Sequence, residues 1–396
     1  MKAAACFAYL TLALAVGVVS LAVAAAQKDE SHQFADRDGV WTVKTGDQAM
    51  TAIRTYPADR RIVVEKGGGY FPVVCKLKSG EIIAVVRGGG PHRFSWGKAR
   101  LDVVRSTDGG RTWTRPAVAA DFPDRDELNP ALGQLTDGTV VLGYWSYKGT
   151  MQFDSYEAFK ALQGKLIFLE SHFYTQRSKD GGRSWDDPNE FSSLGFKDAS
   201  PHGKIVELDG LALMSFYVQD ESHNNEYAYL LRSRDGGKSW GDPSLIARDH
   251  NETALVALPG GRLAAALRSS KGGSTSMCFS DDGGHTWTTP RGVTNKGEHP
   301  GDLVLLPDGR LILTYGERNR PFGVRALISP DGGQTWDKRN TIVLAWDAPN
   351  WDCGYPSSVL LDDGDILTIY YQVNDLDTAP ESAQAREVIW KPPLIK

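Results

Sequence analysis

Ser106-Thr107-Asp108-Gly109-Gly110-Arg111-Thr112-Trp113 recurs four more times as Ser-x-Asp-Gly-Gly-x-(Thr/Ser)-Trp, at Ser178–Trp185, Ser233–Trp240, Ser280–Trp287 and Ser329–Trp336. Each copy reads as a tight turn between two strands. The paired glycines accept positive φ, the Asp oxygens can take nearby backbone amides, and the Trp is large enough to pin the turn to its sheet. Asp108, Asp180, Asp235, Asp282 and Asp331 are therefore read as structural, because a residue repeated with the turn serves the turn.

Between these copies runs a second pattern, an apolar strand, a Gly turn and another apolar strand, at Pro72–Arg87, Pro130–Trp145, Pro201–Tyr217, Thr253–Arg268, Gly301–Glu317 and Pro356–Tyr371. Its turn glycines are Gly80, Gly138, Gly210, Gly261, Gly309 and Gly364, spaced about 50–70 residues apart, which suits one four-stranded sheet per repeat. The expected fold is all-β, a six-bladed β-propeller, with each blade ordered strand A, Gly turn, strand B, loop, strand C, octapeptide turn, strand D. Strand reversal puts the Gly and octapeptide turns on one face and the longer B–C and D–A loops on the other, the functional face. The sixth repeat lacks an octapeptide, so a strand near Arg61–Glu65 is expected to complete its sheet and close the ring. In the longest loop, Asp154, Glu157 and Gly164 predict a short helix over 155–163, either a lid over a ligand or rim packing.

Residues 1–26 have the form of a signal peptide, with Lys2, an apolar run to Val23 and Ala24-Ala25-Ala26 for cleavage; the same run is long enough to be an uncleaved anchor. On the first reading the mature chain is one domain, 27–396, secreted or periplasmic, without a membrane span and monomeric. Three scattered cysteines, Cys75, Cys278 and Cys353, remain after Cys6 and read as core thiols rather than a disulfide or zinc framework. A formal charge of −5 leaves no basic footprint for nucleic acid, so any bound anion must be met by local arginines.

Octapeptides of this kind in six-fold array resemble the Asp boxes, or BNR repeats, of the sialidase (neuraminidase) superfamily, over nearly all of residues 65–390. The resemblance implies three arginines holding a substrate carboxylate, a Tyr nucleophile activated by a Glu, and an Asp acid/base. Asn251-Glu252-Thr253, followed by a strand ending at Arg268, resembles the segment that carries the Glu and second arginine. Gly354-Tyr355-Pro356 resembles the nucleophile segment, and Arg320, with Arg318 as its rival, stands where the third arginine is expected. Arg87 matches a further substrate-contacting arginine. By this resemblance Tyr355 is the expected nucleophile and Glu252 its base.

Two departures stand out. The first arginine's place is taken by Tyr70 in Gly69-Tyr70-Phe71-Pro72, and the segment after Arg87, through Trp96, contains no carboxylate. His92, Asp126 and Glu127 are the substitutes expected for the acid/base. His202, Asp302 and Glu317 fall at strand ends on the same face, and Trp96, Trp145 and Trp351 are read as either sugar-stacking or rim packing. Asn251-Glu252-Thr253 also has the pattern of a glycan acceptor, read as accidental beside the site. The implied activity is an exo-acting glycoside hydrolase that removes a terminal acidic sugar, a sialic, ulosonic or uronic acid, from a glycan or glycoconjugate, with no cofactor or metal. The alternatives are a non-catalytic carbohydrate-binding propeller, or a lyase or neutral-sugar exo-glycosidase on the same scaffold.

Overall fold

The computed structural model describes residues 40–45, 48–55, 61–64, 68–89, 99–149, 168–190, 199–220, 225–374 and 382–393. The expected signal peptide, the helix at 155–163, His92 and Trp96 lie outside them. The strands Val40–Thr45 and Gln48–Thr55 pair as an antiparallel hairpin, in a small unit that also takes in Lys338–Ile342. Among the described residues no helix is long and apolar enough to cross a membrane.

The larger unit is a six-bladed β-propeller. Blade 1 is Gly68–Lys76, Ile82–Gly88, Arg100–Ser106 and Ala117–Ala120; blade 4 is His250–Leu258, Arg262–Ser269, Thr275–Ser280 and Arg291–Gly292; the others repeat this antiparallel order. Blade 6 consists of Cys353–Leu360, Ile366–Val373 and Ala383–Trp390, and its fourth strand is Arg61–Val64, with Ala385 opposite Val64 and Glu387 opposite Arg61. The ring is thus closed by its N-terminal strand, which covers an edge that would otherwise offer unpaired amides.

The octapeptides are uniform in geometry. In all five the Ser Oγ donates to the Asp Oδ1 at 2.7–2.8 Å. The following Thr or Ser hydroxyl donates to Oδ2 at 2.6 Å. The second glycine of each box has positive φ and lies against the preceding blade: a Cβ on Gly110 would overlap Leu367 of blade 6, and one on Gly284 would overlap Leu230 of blade 3. Trp113 Nε1 likewise donates to Glu387 of blade 6 at 3.0 Å. The repeat therefore makes both a turn and a blade-to-blade joint.

Blade 3 departs from the simple A–turn–B pattern. Its first strand is broken into Ser200–Pro201 and Val206–Leu208, and between them Gly203–Lys204 pairs in parallel with Ala131 and Leu132 of blade 2. Gly203, at φ 74, permits the jog. Lys204 is thereby aimed across the axis, where its Nζ meets Asp302 Oδ2 of blade 5 at 2.7 Å and Leu303 O at 2.9 Å. Asp302 Oδ2 also accepts the Ser358 amide of blade 6 at 2.7 Å. Asp302 is thus a brace joining blades 3, 5 and 6.

Candidate active site

Strand A opens with an irregularity in blades 1, 2, 4, 5 and 6: the register slips between Tyr70 and Val73, Leu128 and Ala131, His250 and Thr253, Glu298 and Gly301, and Gly354 and Ser357. A bulge re-aims side chains that regular pleating would send into the blade interface. Four of the five contain an X-Pro pair, Phe71-Pro72, Asn129-Pro130, His299-Pro300 and Tyr355-Pro356, where the missing proline N–H costs no ladder bond. Tyr355 has φ 51, a left-handed conformation unusual for an aromatic residue. The preceding Gly354 is packed so closely that a Cβ would stand 2.8 Å from Gly316 Cα.

These bulges bring together the residues that the resemblance selects. The Tyr355 hydroxyl donates to Glu252 Oε1 at 2.5 Å, and Arg268 Nη1 donates to Glu252 Oε2 at 2.7 Å and to the Tyr355 oxygen at 3.1 Å. Glu252 is only 4 % exposed and Tyr355 7 %, so the pair is shielded from water. Burial would raise the Glu252 carboxyl, but the Arg268 and His202 charges and hydrogen bonds from Tyr355 and Arg268 outweigh it and hold it at about 2. Burial, then the Glu252 charge, raises Tyr355 above the ordinary phenol range. A carboxylate therefore faces a protonated phenol across a short hydrogen bond.

Arg318 and Arg320 separate cleanly. The Arg318 guanidinium lies 5.4 Å over the Tyr355 ring, whereas Arg320 is exposed and lies over Phe322 at 5.3 Å. The structure thus places Arg318, not Arg320, beside the nucleophile candidate. His202 packs edge-on against the Tyr355 ring, with centroids 5.9 Å apart, and Tyr217 shares the neighbourhood, bonded through its hydroxyl to Asn129 Nδ2 at 3.0 Å.

Other expected site residues lie in different surroundings. Tyr70 is fully buried and packs on Tyr371, with centroids 5.2 Å apart, while Phe71 packs edge-on to Tyr355 at 4.7 Å. The place of the first arginine is thus built over with aromatic packing, and Tyr70 belongs to that packing. Arg87 is also fully buried; its Nε donates to Glu127 O at 3.1 Å and its Nη2 lies 3.9 Å from Asp126 Oδ1. Asp126 Oδ1 accepts the Ala99 amide at 3.0 Å, and Glu127 Oε1 accepts the Ser146 hydroxyl at 3.0 Å. Both carboxylates have 0 % exposure. Asp126 thus braces the chain at Ala99, and the Glu127 backbone holds Arg87. Burial, with Asp121 and Asp126 adding to it, pushes Glu127 up to about 8.

Glu317 pairs with Arg325 Nε at 3.2 Å, and Trp145 is tucked against Tyr147 with its Nε1 donating to Ser171 at 2.6 Å. Trp351 is 44 % exposed. Two features escape the sequence reading: a second phenol–carboxylate pair, Tyr371 to Asp352 Oδ1 at 2.8 Å, and His299. The X-Pro pairs at the start of strand A are the signal that could have found His299.

With this geometry in view, a comparison with known proteins places the chain: the BNR repeat-like domain matches residues 80–368. The chain belongs to the BNR repeat-like family. It is 22 % identical over 326 residues to a sialidase of Bacteroides fragilis (strain YCH46), covering 73 % of this chain and 57 % of that protein. It is 24 % identical over 355 residues to an anhydrosialidase of Macrobdella decora, covering 70 % and 46 %. It thus spans about half the length of these curated relatives. A crystal structure of a protein of unknown function from Dyadobacter fermentans DSM 18053 superposes with TM-score 0.70 at 28 % identity, over 85 % of this chain and 98 % of that one. This BNR-repeat chain has a sialidase-like scaffold.

Proposed function

We propose that this BNR-repeat protein is an exo-acting glycosidase of the sialidase type that releases a terminal acidic sugar, with Tyr355 as nucleophile and Glu252 as its base. The observation that supports this most is the contiguous Arg268–Glu252–Tyr355 network, buried at the mouth of the ring. An anomeric carbon that bears a carboxylate repels an anionic nucleophile, and a neutral phenol avoids that penalty. As the Tyr355 oxygen bonds to the anomeric carbon, the bond to the leaving-group oxygen breaks and the phenolic proton passes to Glu252 Oε1. Arg268, already donating to both partners, stabilises the charge developing on the Tyr355 oxygen. In the second step a water or sugar hydroxyl attacks the anomeric carbon and gives up its proton to solvent, while the tyrosyl oxygen leaves and recovers its own proton from Glu252. Arg268 and Arg318 are the cations available for the sugar carboxylate, and bidentate guanidinium contacts suit it.

The leaving-group oxygen needs a proton unless it departs easily. Aryl glycosides with acidic leaving groups bypass that need, so they belong in the assay beside natural linkages. Release of the acid from α-linked sialic, ulosonic or uronic aryl glycosides is expected. No turnover on any of them overturns the proposal. The Macrobdella decora relative's name, anhydrosialidase, makes the second nucleophile a separate question: water yields the free acid and a hydroxyl of the sugar itself yields an anhydro product, lighter by one water and separable by mass.

A further inference from the structure

We infer that His299 is the third hydrogen-bond donor for the substrate carboxylate, taking over from the arginine whose place Tyr70 fills. This rests on the acidic-sugar reading above and specifies how that sugar is held. His299 occupies the strand A bulge of blade 5, in the same relation to its blade as Tyr355 has to blade 6, and the equivalent bulge of blade 4 carries Glu252. All three bulges are built at the start of the innermost strand.

His299 lies close enough to both site arginines for their charges to act on its ring. On one side is the turn that follows Arg268: a Cβ on Gly273 would lie 3.4 Å from His299 Nε2, and Gly273 O accepts the Gly297 amide at 2.6 Å. On the other side the Arg318 amide donates to Gly297 O at 2.8 Å. The imidazole is only 6 % exposed, yet its Nδ1 has no hydrogen-bond partner. Arg268 Nε and Arg318 Nε are buried without partners in the same way. A buried polar group without a partner costs free energy, and one anion with several acceptor positions accounts for these three nitrogens of blades 4 and 5 together. A carboxylate, with about four lone-pair sites, is such an anion.

The ring is a neutral donor at neutral pH. Burial first, then the Arg268 and Arg318 charges, hold it down at about 3, with Glu252 the one opposing charge. A neutral N–H adds direction to the clamp without adding a third positive charge to the two already there.

The test is calorimetric titration of the full chain with 2-deoxy-2,3-didehydro-N-acetylneuraminic acid and with its methyl ester, which lacks the carboxylate charge. His299→Leu is expected to weaken the acid about ten- to a hundredfold, the worth of a hydrogen bond to a charged group, and to leave the weaker ester unchanged. His299→Asn, which keeps an N–H close to the Nδ1 position, is expected to recover most of the loss. Equal affinity of His299→Leu and wild type for the acid overturns the inference about His299 while leaving the acidic-sugar reading intact. So does an equal loss for acid and ester, which would mean that His299 only supports the wall. Failure of the wild type to bind the acid, where Arg268→Ala is no worse, overturns the acidic-sugar reading and the inference with it.

Discussion

Tyr355 and Glu252 are ordinary residues made unusual by where the backbone turns. The left-handed φ of Tyr355 is a local cost, of the order of 1–3 kcal/mol for such outliers, that the tight packing of Gly354 on Gly316 holds in place. If the two act as one unit, Tyr355→Phe, which removes the attacking oxygen, should lower kcat by roughly a thousandfold or more, as should Glu252→Gln. The double variant should then be hardly worse than either single one. Steady-state kinetics on an aryl glycoside decides this, and losses that multiply would mean that the two residues work separately. Because the Glu252 carboxyl is held at about 2, it stays ionised down to strongly acidic pH. Its contribution to stability is present above the ordinary carboxylate pKa and is lost as the pH falls from there toward 2.

The Asp box couples a turn to the neighbouring blade through its second glycine. Gly284 has φ 86, and a Cβ there would overlap Leu230 of blade 3, so Gly284→Ala meets both a backbone penalty and a steric one. A loss of roughly 1–3 kcal/mol is expected from overpacking of this kind, read as a lower melting temperature. The turn is far along the strands from Arg268 at the other end of its blade, so kcat/KM at a permissive temperature should be kept. Activity lost with the melting temperature unmoved would show that the box serves the site directly. Four of the five box aspartates are exposed and Asp108 is half-buried, and all five spend their oxygens on the turn itself, as the matching sets of hydrogen bonds show.

Across the propeller, the closing strand and the Lys204–Asp302 brace tie distant parts of the chain into one ring, so charges buried in it affect the stability of the entire unit. Glu127 is the informative case. Its folded pKa is raised to about 8 against an ordinary value near 4.5, so the folded state holds the proton more tightly. By linkage this favours folding most fully at pH below about 4.5, and the advantage is lost as the pH rises through about 8. Glu317, raised to about 7 by burial despite Arg325, contributes in the same direction. Denaturant titrations from pH 5 to 8.5 should therefore show stability declining with pH. Glu127→Gln, which keeps the shape and the Ser146 bond without a titrating proton, should flatten part of that slope. An unchanged slope would mean that Glu127 is ionised in the folded protein.

The repeats alone determined six blades, their order of strands and the closing strand near Arg61, because turn chemistry and strand alternation are local and each blade repeats them. Glu252, Arg268 and Tyr355 were legible as well, through motif resemblance anchored to strand ends. What the linear pattern left open was decided by packing between blades. Arg318 and Arg320 lie two residues apart in sequence, yet one lies over Tyr355 and the other over Phe322. That Asp126 and Glu127 are buried beside Arg87 is set by the fold, and the broken first strand of blade 3 shows only once Gly203 lets Lys204 reach across the axis. His299 gained its place from a bulge whose effect depends on two neighbouring blades at once. Strand periodicity states which side of a sheet a residue takes; only the closed ring decides which opposing side chain waits there.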